Sequence, residues 1–586
     1  MKRLTALLIA LLAMTVLFTA CSGDSPSTTD TTAAPTTTAA PETEPTVTDL
    51  EIVKDGVANY RVIRAEEATQ STIDAATLVR SQIGKETGAF PDISTDWVKR
   101  GTELDHESLE ILVGATAYEE SAKALEGVPY GDYIVTCVGN KIVINAWSDA
   151  GLDAAVTALG RELISNADTG SFTLPADFKL TGTKIEIVNQ LPTYAGGSLR
   201  SIYHSGDDNQ VVIIDDTTPD EYAAYRKTLE SSGYTLYTEN DITDNKFATY
   251  VNDKYVVNAG YYAYETAARI IIEPRTTLPA LASENKYESK VQPSFAMLGL
   301  EFTSGDSLTE NGLCFIYQLA DGSYIIIDGG FNRARDAKAL YDYMREHAPD
   351  KDNITIAAWF ITHSHGDHNG AWYKFSETYA SKVNLELLVG NFPSDEARLD
   401  GGLGTEGGGG PKTMNYVYNY KGAEFIKAHT GYQFHLRDAE VEILYTLESY
   451  APSVLNYLNT SSLIFTIKIA GQQFLILGDA SNYGCDIAQK MYGDYLKSDI
   501  IQTAHHGYGT GTSSYGGVTA VYTKAAAPVV FWPVGAKDYA NMHTRAYDAH
   551  LQNLATTKEI IVAGSREVRV MLPYTMGTSG YETILK

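Results

Sequence analysis

The sequence predicts a multidomain α/β protein whose last and largest part is a layered α/β fold. Three observations support this prediction. The chain has 586 residues, which is too long for one ordinary domain. Its hydrophobic fraction is 44%, enough for several cores. From about residue 294 onwards, predicted strands and helices alternate, a pattern typical of sheets covered by helices. Ten of the twelve histidines lie in that last part, so we expect any functional site built from histidines to lie there.

The N-terminus has the pattern of an export signal followed by a tether. Two basic residues precede an apolar stretch, Leu4–Phe18, which is too short for a convincing membrane-spanning helix. Small residues then stand directly before Cys21, an arrangement that resembles a bacterial lipobox, in which the cysteine is lipidated and becomes the mature N-terminus. We predict a lipoprotein signal over residues 1–21 and a flexible Thr/Pro/Ser-rich linker over residues 22–46. A signal that is cleaved without lipidation is the alternative.

Charge and cysteine content narrow the function classes. The formal net charge is −28, which argues against a nucleic-acid partner or an anionic-membrane groove. Beyond the signal, the cysteines Cys137, Cys314 and Cys485 are too widely spaced for a disulfide framework or a zinc ribbon. Any metal site must therefore use histidines and carboxylates. The lipid anchor on Cys21 predicts that the protein sits on the cell membrane and faces the extracellular side.

Two small modules are expected between the linker and the last domain. Residues 47–189 are predicted to form an α/β module with a hairpin that turns at Gly139-Asn140. This module loosely resembles the small non-catalytic domain attached to several glycoside hydrolase families. Residues 190–282 are predicted to form an α+β module, with a helix that starts at Pro219 after the capping residue Thr218.

The segment ITHSHGDHNGA places three histidines and an aspartate within six residues, directly after the apolar run Ile354–Ile361. That run has the character of a buried strand, so the polar residues lie on the loop at its C-terminal end. In an extended segment, residues two apart point the same way, so His363 and His365 can bind one cation. Asp367 and His368 follow a glycine and face a neighbouring position. Imidazole and carboxylate ligands suit zinc, with manganese or iron as alternatives.

Two further segments fit the same scheme. The stretch QQFLILGDA is a predicted strand that ends at Asp479, and SDIIQTAHHGYG is a predicted strand that ends at His505 and His506. A single Gly-Asp pair is weak support for a site. Two such motifs at strand ends in the same domain as HxHxDH are a strong combination, and they predict one or two divalent metal ions.

On these residues, the domain over residues 294–586 resembles the metallo-β-lactamase superfamily. The resemblance implies an αββα sandwich with metals at one edge of its sheets. It assigns His363 and His365 to the first metal, Asp367 and His368 to the second, and Asp479 as the bridging carboxylate. We expect His505, the first residue off its strand, to be the final histidine ligand and His506 to lie nearer the substrate. Asp328 of IDGG matches an early structural aspartate of the family.

The chain departs from the family pattern at one position. Family members usually supply another histidine in the turn before the penultimate pair of strands. Here that turn, LNTSSLIF, offers Asn459 and Ser461 but no histidine. This pattern looks more like the branch that contains the competence-protein nuclease domains, which also carry His-His-Gly. His429 and His435 are substitutes by position in the sequence only, and the first metal is expected to be held less tightly than the second.

Two other segments are candidates for contact with substrate. The glycine-rich stretch Asp400–Thr413 is expected to lack regular structure and to form a mobile loop beside the site; a disordered surface insertion is an equal alternative. The late segment WPVGAKDYANMHTRAY resembles the place where related hydrolases put a substrate-contacting histidine, here His543. Together with Asp367, Asp479 and His506, His543 completes the expected catalytic set.

The leading hypothesis is an extracytoplasmic metal-dependent hydrolase. It would use metal-activated water on an ester or phosphodiester, with a cell-envelope polymer or an extracellular glycopolymer as substrate. Two alternatives remain open at this point. One is a non-enzymatic, glycan-binding surface lipoprotein with a degenerate metal domain, and the other is a nuclease-like phosphodiesterase.

Overall fold

The computed structural model describes most of the chain after the linker. The described residues are 49–128, 132–183, 187–206, 209–304, 307–393, 410–453, 455, 457–508, 516–544, 546–563, 567–580 and 583–585. The predicted signal, the lipidation site Cys21 and the linker lie outside them, as does most of the glycine-rich stretch. Within the described residues, no helix is both long and apolar enough to cross a lipid bilayer.

The first module is a mixed sheet with helices packed against it. Its hairpin turns at Gly139-Asn140 as expected, because Asp132–Val138 pairs antiparallel with Lys141–Ala146. Ser148 caps the following helix by accepting a hydrogen bond from the Gly151 N–H. In sheet order the strands are Ile93–Thr95, Arg61–Arg64, Glu110–Val113, Lys141–Ala146, Asp132–Val138 and Lys179–Thr183. A small sheet of Val57–Ala58, Leu50–Lys54 and Phe172–Leu174 accompanies the helices Gln70–Thr87, Glu119–Leu125 and Asp149–Glu162.

The second module is an antiparallel sheet covered by one long helix. Thr218 and Glu221 form a reciprocal capping box at the start of the helix Pro219–Ser231, which is the start that the sequence predicted. In sheet order the strands are Ser198–Gly206, Asn209–Asp215, Ala267–Pro274, Tyr255–Tyr262, Asn245–Val251 and Thr235–Ile242. The boundaries expected for the two modules, 47–189 and 190–282, stay predictions.

Two sheets build the C-terminal domain. The first has the order Glu424–Lys427, Leu387–Gly390, Ile354–Phe360, Tyr324–Asp328, Cys314–Gln318, Ser294–Met297 and Val568–Met571, and Val383–Leu385 also pairs with Ile354–Phe360. The second has the order Gln433–Leu436, Ala439–Tyr445, Ile464–Ile469, Gln472–Ile476, Ile500–Gln502, Val529–Trp532, Glu559–Val562 and Thr583–Leu585. A hairpin of Leu300–Ser304 and Ser307–Gly312 precedes the first sheet's strand Cys314–Gln318.

Helices cover the outer face of each sheet. Alternation along Cys314–Gln318 shows the layering, because Phe315 and Tyr317 face the core between the sheets, whereas Ile316 faces the helices. The helices over the first sheet include Ala334–His347 and Gly370–Tyr379, and those over the second include Asn482–Tyr492 and Gly516–Ala525. Shorter helices span Gly410–Asn415, Ala536–Met542 and Ala546–Asn553. The expected αββα sandwich, preceded by N-terminal α/β domains, is therefore confirmed.

The second module packs against the C-terminal domain through buried polar contacts. The guanidinium of Arg269 is 1% exposed and donates to the carbonyl oxygens of Glu448 (3.2 Å), Ser449 (3.5 Å) and Ala451 (3.1 Å). The Asn245 side-chain amide donates to the Met491 carbonyl oxygen at 2.9 Å. Phe247 and Tyr262 of the module join the core on the outer face of the second sheet. These contacts fix the segment that leads from Glu448 towards the site described next.

Candidate metal centre

The candidate ligands lie where strands of both sheets end. His363–His368 follow the strand Ile354–Phe360 of the first sheet, whereas Asp479 and His506 follow strands of the second sheet. The two sheet edges are held close together, since the Leu463 N–H donates to the Thr362 carbonyl oxygen at 3.0 Å. Gly478 has a φ of 52°, and a Cβ there would lie 2.9 Å from the Thr362 Cβ. Only glycine meets both demands without strain, which explains the Gly-Asp motif.

The carboxylate of Asp328 contacts Thr362 and His368 and so fixes the histidine loop at both of its ends. This aspartate is fully buried and has a φ of 55°, in the left-handed region. Its carboxylate accepts hydrogen bonds from the Thr362 N–H (2.8 Å) and hydroxyl (2.9 Å), and its Oδ2 lies 2.7 Å from His368 Nδ1. A carboxylate on Nδ1 fixes the ring and leaves Nε2 free to bind a metal. Asp328 therefore positions a ligand and is not one itself, as the sequence predicted.

The structure brings the expected ligands together in two groups that share Asp479. One group contains His363, His365 and Asp479, and the other contains Asp367, His368, Asp479 and His506. In the first group His363 Nε2 lies 2.9 Å from His365 Nδ1, and in the second His368 Nε2 lies 3.1 Å from His506 Nε2. Two nitrogens bound to one tetrahedral zinc stand roughly 3.3 Å apart, so both spacings are close to what a shared ion requires.

Asp479 faces both groups with different oxygens. Its Oδ1 lies 3.1 Å from His368 Nε2 and 3.4 Å from His506 Nε2, whereas its Oδ2 lies 3.9 Å from His363 Nε2. Oδ1 is buried and has no hydrogen-bond partner among the described residues, because the close His368 nitrogen does not meet it with hydrogen-bond geometry. A buried carboxylate oxygen aimed at nitrogens but bonded to none fits a metal ion between them. The residues present therefore suit one or two divalent ions.

The structure differs from the sequence-based choice at the His-His-Gly motif. His506, and not His505, lies in the four-residue group. The sequence argument counted residues off the strand as if the chain stayed extended, but both histidines have left-handed backbones, with φ of 49° and 50°. His506 is fully buried, and its Nδ1 lies 3.4 Å from the Pro533 carbonyl oxygen, which turns Nε2 towards Asp479. His505 instead lies on the side of the first group, with Nε2 3.5 Å from Asp479 Oδ2.

Burial and charge set the protonation of the cluster. Burial lowers the pKa of the His363 and His506 imidazoles, which keeps these rings neutral. Burial also acts against a charged His368, but the carboxylates of Asp479 and Asp328 outweigh it and raise the pKa of His368 well above its ordinary value. For Asp479, burial acts to raise the pKa, and the surrounding imidazoles lower it well below the usual range. The neutral rings of His363 and His506 and the ionised Asp479 are therefore already in the state that binds a metal, whereas an ion that binds His368 must displace its proton.

Tyr457 lies directly before the turn that lacks the family's histidine and is hydrogen-bonded to it. Asn459 is fully buried, and its amide donates to the Tyr457 hydroxyl oxygen at 3.1 Å. Ser461 is used locally, because its hydroxyl donates to the Leu458 carbonyl oxygen at 2.7 Å. Tyr457 was not among the sequence-based candidates, and its position beside the ligands depends on the fold of the turn.

The two substitute histidines lie elsewhere. His429 is buried, with Nε2 3.1 Å from Glu273 Oε1 of the second module and Nδ1 3.6 Å from Glu448 Oε1. His435 belongs to the strand Gln433–Leu436 and is half-buried. Neither histidine is in the two ligand groups. His429 instead belongs to the contact between the second module and the C-terminal domain.

The other two candidates for contact with substrate are His543 and the glycine-rich stretch. His543 follows the helix Ala536–Met542, where its Nδ1 lies 2.9 Å from the Tyr539 carbonyl oxygen and its ring stacks on Tyr539. It is not in either ligand group, and it reaches His506 only indirectly, since Tyr539 packs on Trp532, whose indole N–H donates to the His506 carbonyl oxygen at 2.9 Å. The glycine-rich stretch lies outside the described residues as far as residue 409, and its last residues begin the helix Gly410–Asn415.

The fold is an αββα domain that carries two candidate groups of metal ligands. Residues 309–446 match the family model of the metallo-beta-lactamase superfamily. The C-terminal region therefore contains a metallo-β-lactamase superfamily domain. The matched segment includes His363–His368 and ends before Asp479, so the bridging position rests on the geometry described above. No curated protein matches this chain in sequence.

Several solved structures share similarity with part of the chain. The metallo-beta-lactamase fold protein YhfI from Bacillus subtilis is 12% identical, over 47% of this chain and 100% of its own, with a TM-score of 0.31. CmlA, a diiron beta-hydroxylase from Streptomyces venezuelae, is 12% identical over 48% of this chain and 55% of its own, with a TM-score of 0.30. Zn(2+)-bound PqqB from Methylobacterium extorquens is 10% identical over 48% of this chain and 100% of its own, with a TM-score of 0.31.

Proposed function

We propose that the C-terminal domain is a metal-dependent hydrolase that acts on an ester or a phosphodiester. The observation that carries this proposal is the pair of ligand groups that share Asp479 at the meeting edge of the two sheets. Each group gathers imidazole nitrogens with carboxylate oxygens, and together they offer more ligand atoms than a purely structural role needs. A structural zinc site is closed by four ligands, whereas the group of His363, His365 and Asp479 offers three and so leaves a position for water or substrate.

We propose zinc as the metal, bound as one or two ions, with manganese or iron as alternatives. Imidazole and carboxylate donors without thiolates suit all three metals. The group of Asp367, His368, Asp479 and His506 has one more ligand than the group of His363, His365 and Asp479. We therefore expect the four-residue group that contains His506 to hold its ion more tightly.

The ionisable side chains divide the chemistry between them. When bound, the metal supplies a hydroxide-like nucleophile near neutral pH and polarises the scissile oxygen. Asp479 is 2% exposed and orients the attacking water from within the cluster, while Asp367 is 25% exposed and is the carboxylate that reaches solvent. Asp367 Oδ2 also lies 3.6 Å from His506 Nε2. We assign Asp367 to carry the proton between the reacting water and solvent.

We propose an ester of the cell envelope or of an extracellular glycopolymer as the substrate. The net charge of −28 argues against nucleic acid, because an acidic protein repels a polyanion. A nuclease-like phosphodiesterase therefore remains the second choice. The proposed position of the protein outside the cytoplasmic membrane also favours an envelope substrate.

The test is a hydrolysis screen with metal-loaded protein on phosphodiester, lactone and β-lactam reporters. We expect the wild type to hydrolyse at least one reporter and Asp479→Asn to lose both turnover and metal, since asparagine keeps the shape but lacks the charge that offsets the cations. Asp494→Asn is the matched control, because the Asp494 side chain is 92% exposed and pairs with Lys524 on the surface. Full metal content without turnover on any reporter would favour the non-enzymatic surface protein. Two ions and normal turnover in Asp479→Asn would exclude the bridging role.

We propose that the protein is anchored to the outside of the cell membrane by lipid on Cys21. The support is the sequence alone, namely basic residues, an apolar stretch and small residues ahead of Cys21, followed by a linker. When the protein is expressed with its signal, Cys21→Ala should move from the membrane fraction to the soluble fraction. A wild type that is equally soluble would refute the anchor.

A further inference from the structure

Tyr457 lies beside the candidate metal centre. Its ring centroid lies 6.3 Å from that of His365 and 6.3 Å from that of His505. These two histidines come from different sheets and stand on opposite loops. Tyr457 is half-buried, so part of its side chain packs on the protein and part is accessible to solvent. A side chain in this place lies beside any molecule that reaches the ligand groups.

The turn that carries Tyr457 is held firmly. The Thr460 carbonyl oxygen accepts a hydrogen bond from the Tyr445 hydroxyl at 2.8 Å, and the Thr460 hydroxyl lies 2.9 Å from that of Ser481, two residues beyond Asp479. The turn is therefore tied to the same loop that supplies the shared carboxylate. The position of Tyr457 relative to the ligands is thus fixed by buried hydrogen bonds and does not depend on a free loop.

The hydrogen bonding of the phenol leaves its proton available. The buried Asn459 amide donates to the Tyr457 oxygen at 3.1 Å, so the phenol oxygen acts as the acceptor in this contact. Among the described residues, none accepts a hydrogen bond from the Tyr457 hydroxyl. A phenol that accepts from an amide can still donate its own proton to a third group. A phenol has an ordinary pKa of about 10 and therefore keeps its proton at neutral pH.

We propose that Tyr457 donates a hydrogen bond to the substrate oxygen that gains negative charge during hydrolysis. This inference rests on the proposed hydrolase function, and Asn459 acts in it as a positioning residue that aims the phenol. A fixed donor that waits where charge develops stabilises the transition state more than the ground state. The chain thus places a hydrogen-bond donor in the turn where related proteins place a metal ligand.

The test compares Tyr457→Phe with Tyr450→Phe, a matched control on the same connection whose ring packs on Tyr483. Inorganic phosphate serves as the probe for anion binding to the metal-loaded protein, and the best ester from the screen serves for turnover. We expect Tyr457→Phe to keep its metal, to bind phosphate roughly 10-fold more weakly and to lose roughly 100-fold in kcat with a small change in KM. Tyr450→Phe should behave like the wild type.

Three outcomes would distinguish the donor role of Tyr457 from a metal-ligand role and from a failure of the proposed function. Unchanged phosphate affinity and unchanged kcat in Tyr457→Phe would overturn the donor role. Loss of an ion from Tyr457→Phe would also overturn it, and would mean that the phenol oxygen is a metal ligand. If the wild type hydrolyses no ester but Tyr457→Phe still weakens phosphate binding, the proposed function fails, and the role of Tyr457 in catalysis fails with it, whereas Tyr457 is shown to bind an anion.

Discussion

At the scale of single residues, the His-His-Gly motif shows how backbone conformation decides which side chain enters the site. Two consecutive non-glycine residues with left-handed backbones are uncommon and carry a conformational cost. Here the turn directs His506 into the group with Asp367 and leaves His505 against the other oxygen of Asp479. The two neighbouring histidines therefore serve different halves of the cluster.

We predict that His506→Ala and His505→Ala have different effects on metal content. His506→Ala removes a ligand of the larger group and should lower the affinity of the tighter ion by more than the roughly 10- to 100-fold that is typical when a residue that only orients a ligand is lost. His505→Ala should leave that ion in place and affect only the weaker one. Metal titration against a competing chelator measures both, with His550→Ala as a control on a helix away from the site. Equal loss of the tighter ion from both variants would contradict this division.

The raised pKa of His368 predicts that metal binding releases a proton. In the metal-free protein His368 holds its proton at neutral pH, and the ion must displace it. Metal affinity should therefore rise with pH until the raised pKa of His368 is passed. The free energy of unfolding of the metal-free protein changes in the opposite direction with pH. Protonated His368 stabilises the metal-free fold at low pH, and this contribution is lost as pH rises through the raised pKa of His368.

Calorimetric titration of zinc in buffers with different ionisation enthalpies gives the number of protons released. We expect release at pH 7 and a stronger affinity at roughly pH 8 than at pH 6. His550→Ala is again the control and should release the same number of protons as the wild type. An affinity that does not change across this range would show that His368 is already neutral in the metal-free protein.

At the scale of elements, the strand-to-loop connections were the part of the site that the sequence predicted best. Apolar runs such as Ile354–Phe360 mark buried strands, and polar residues directly after them must lie at a sheet edge. The preference for His505 over His506 assumed an extended chain, and the left-handed turn at these two residues breaks that alternation. Tyr457 was missed because its approach to His365 depends on how a distant turn packs, which no local pattern encodes.

The glycine-rich stretch is predicted to modulate turnover without holding metal. Its far end is anchored beside the site, since Thr413 is buried, its carbonyl oxygen accepts from the Trp372 indole N–H at 2.9 Å and its hydroxyl lies 2.8 Å from that of Tyr373. Between residues 400 and 413 only Asp400 and Glu406 offer ligand atoms. Removing residues 401–405 should therefore change KM or kcat while metal stoichiometry stays constant. Loss of metal on shortening would show that the stretch supports the site itself.

At the scale of the whole molecule, the second module is integral to the C-terminal domain. Arg269 reaches out of the module and satisfies carbonyl oxygens on the segment from Glu448 to Ala451, which the chain follows towards Tyr457. The buried pair of His429 with Glu273 crosses the same boundary. The sequence predicted the existence of both α/β parts, but the polar contacts between them involve residues that are far apart in the chain and carry no common pattern.

We predict that Arg269→Met destabilises the protein as a whole. The substitution leaves buried carbonyl oxygens and the Glu265 carboxylate without their partner, which should lower the free energy of unfolding by about 3–5 kcal/mol. Denaturant unfolding measures this change. Arg161→Met is the matched control, because the Arg161 side chain is 72% exposed and pairs with Glu162 on the surface. A change as small as that of the control would show that the module is only loosely attached.

The contact made by the second module also has a consequence for the order in which the protein assembles. The strands of this module are complete at Pro274, before any strand of the C-terminal sheets has been synthesised. During translation a domain nearer the N-terminus folds first. The finished module therefore presents Phe247, Tyr262 and Arg269 as a ready surface for the helices and loops that emerge later. A C-terminal domain produced without it would leave an apolar face exposed and would be prone to aggregate.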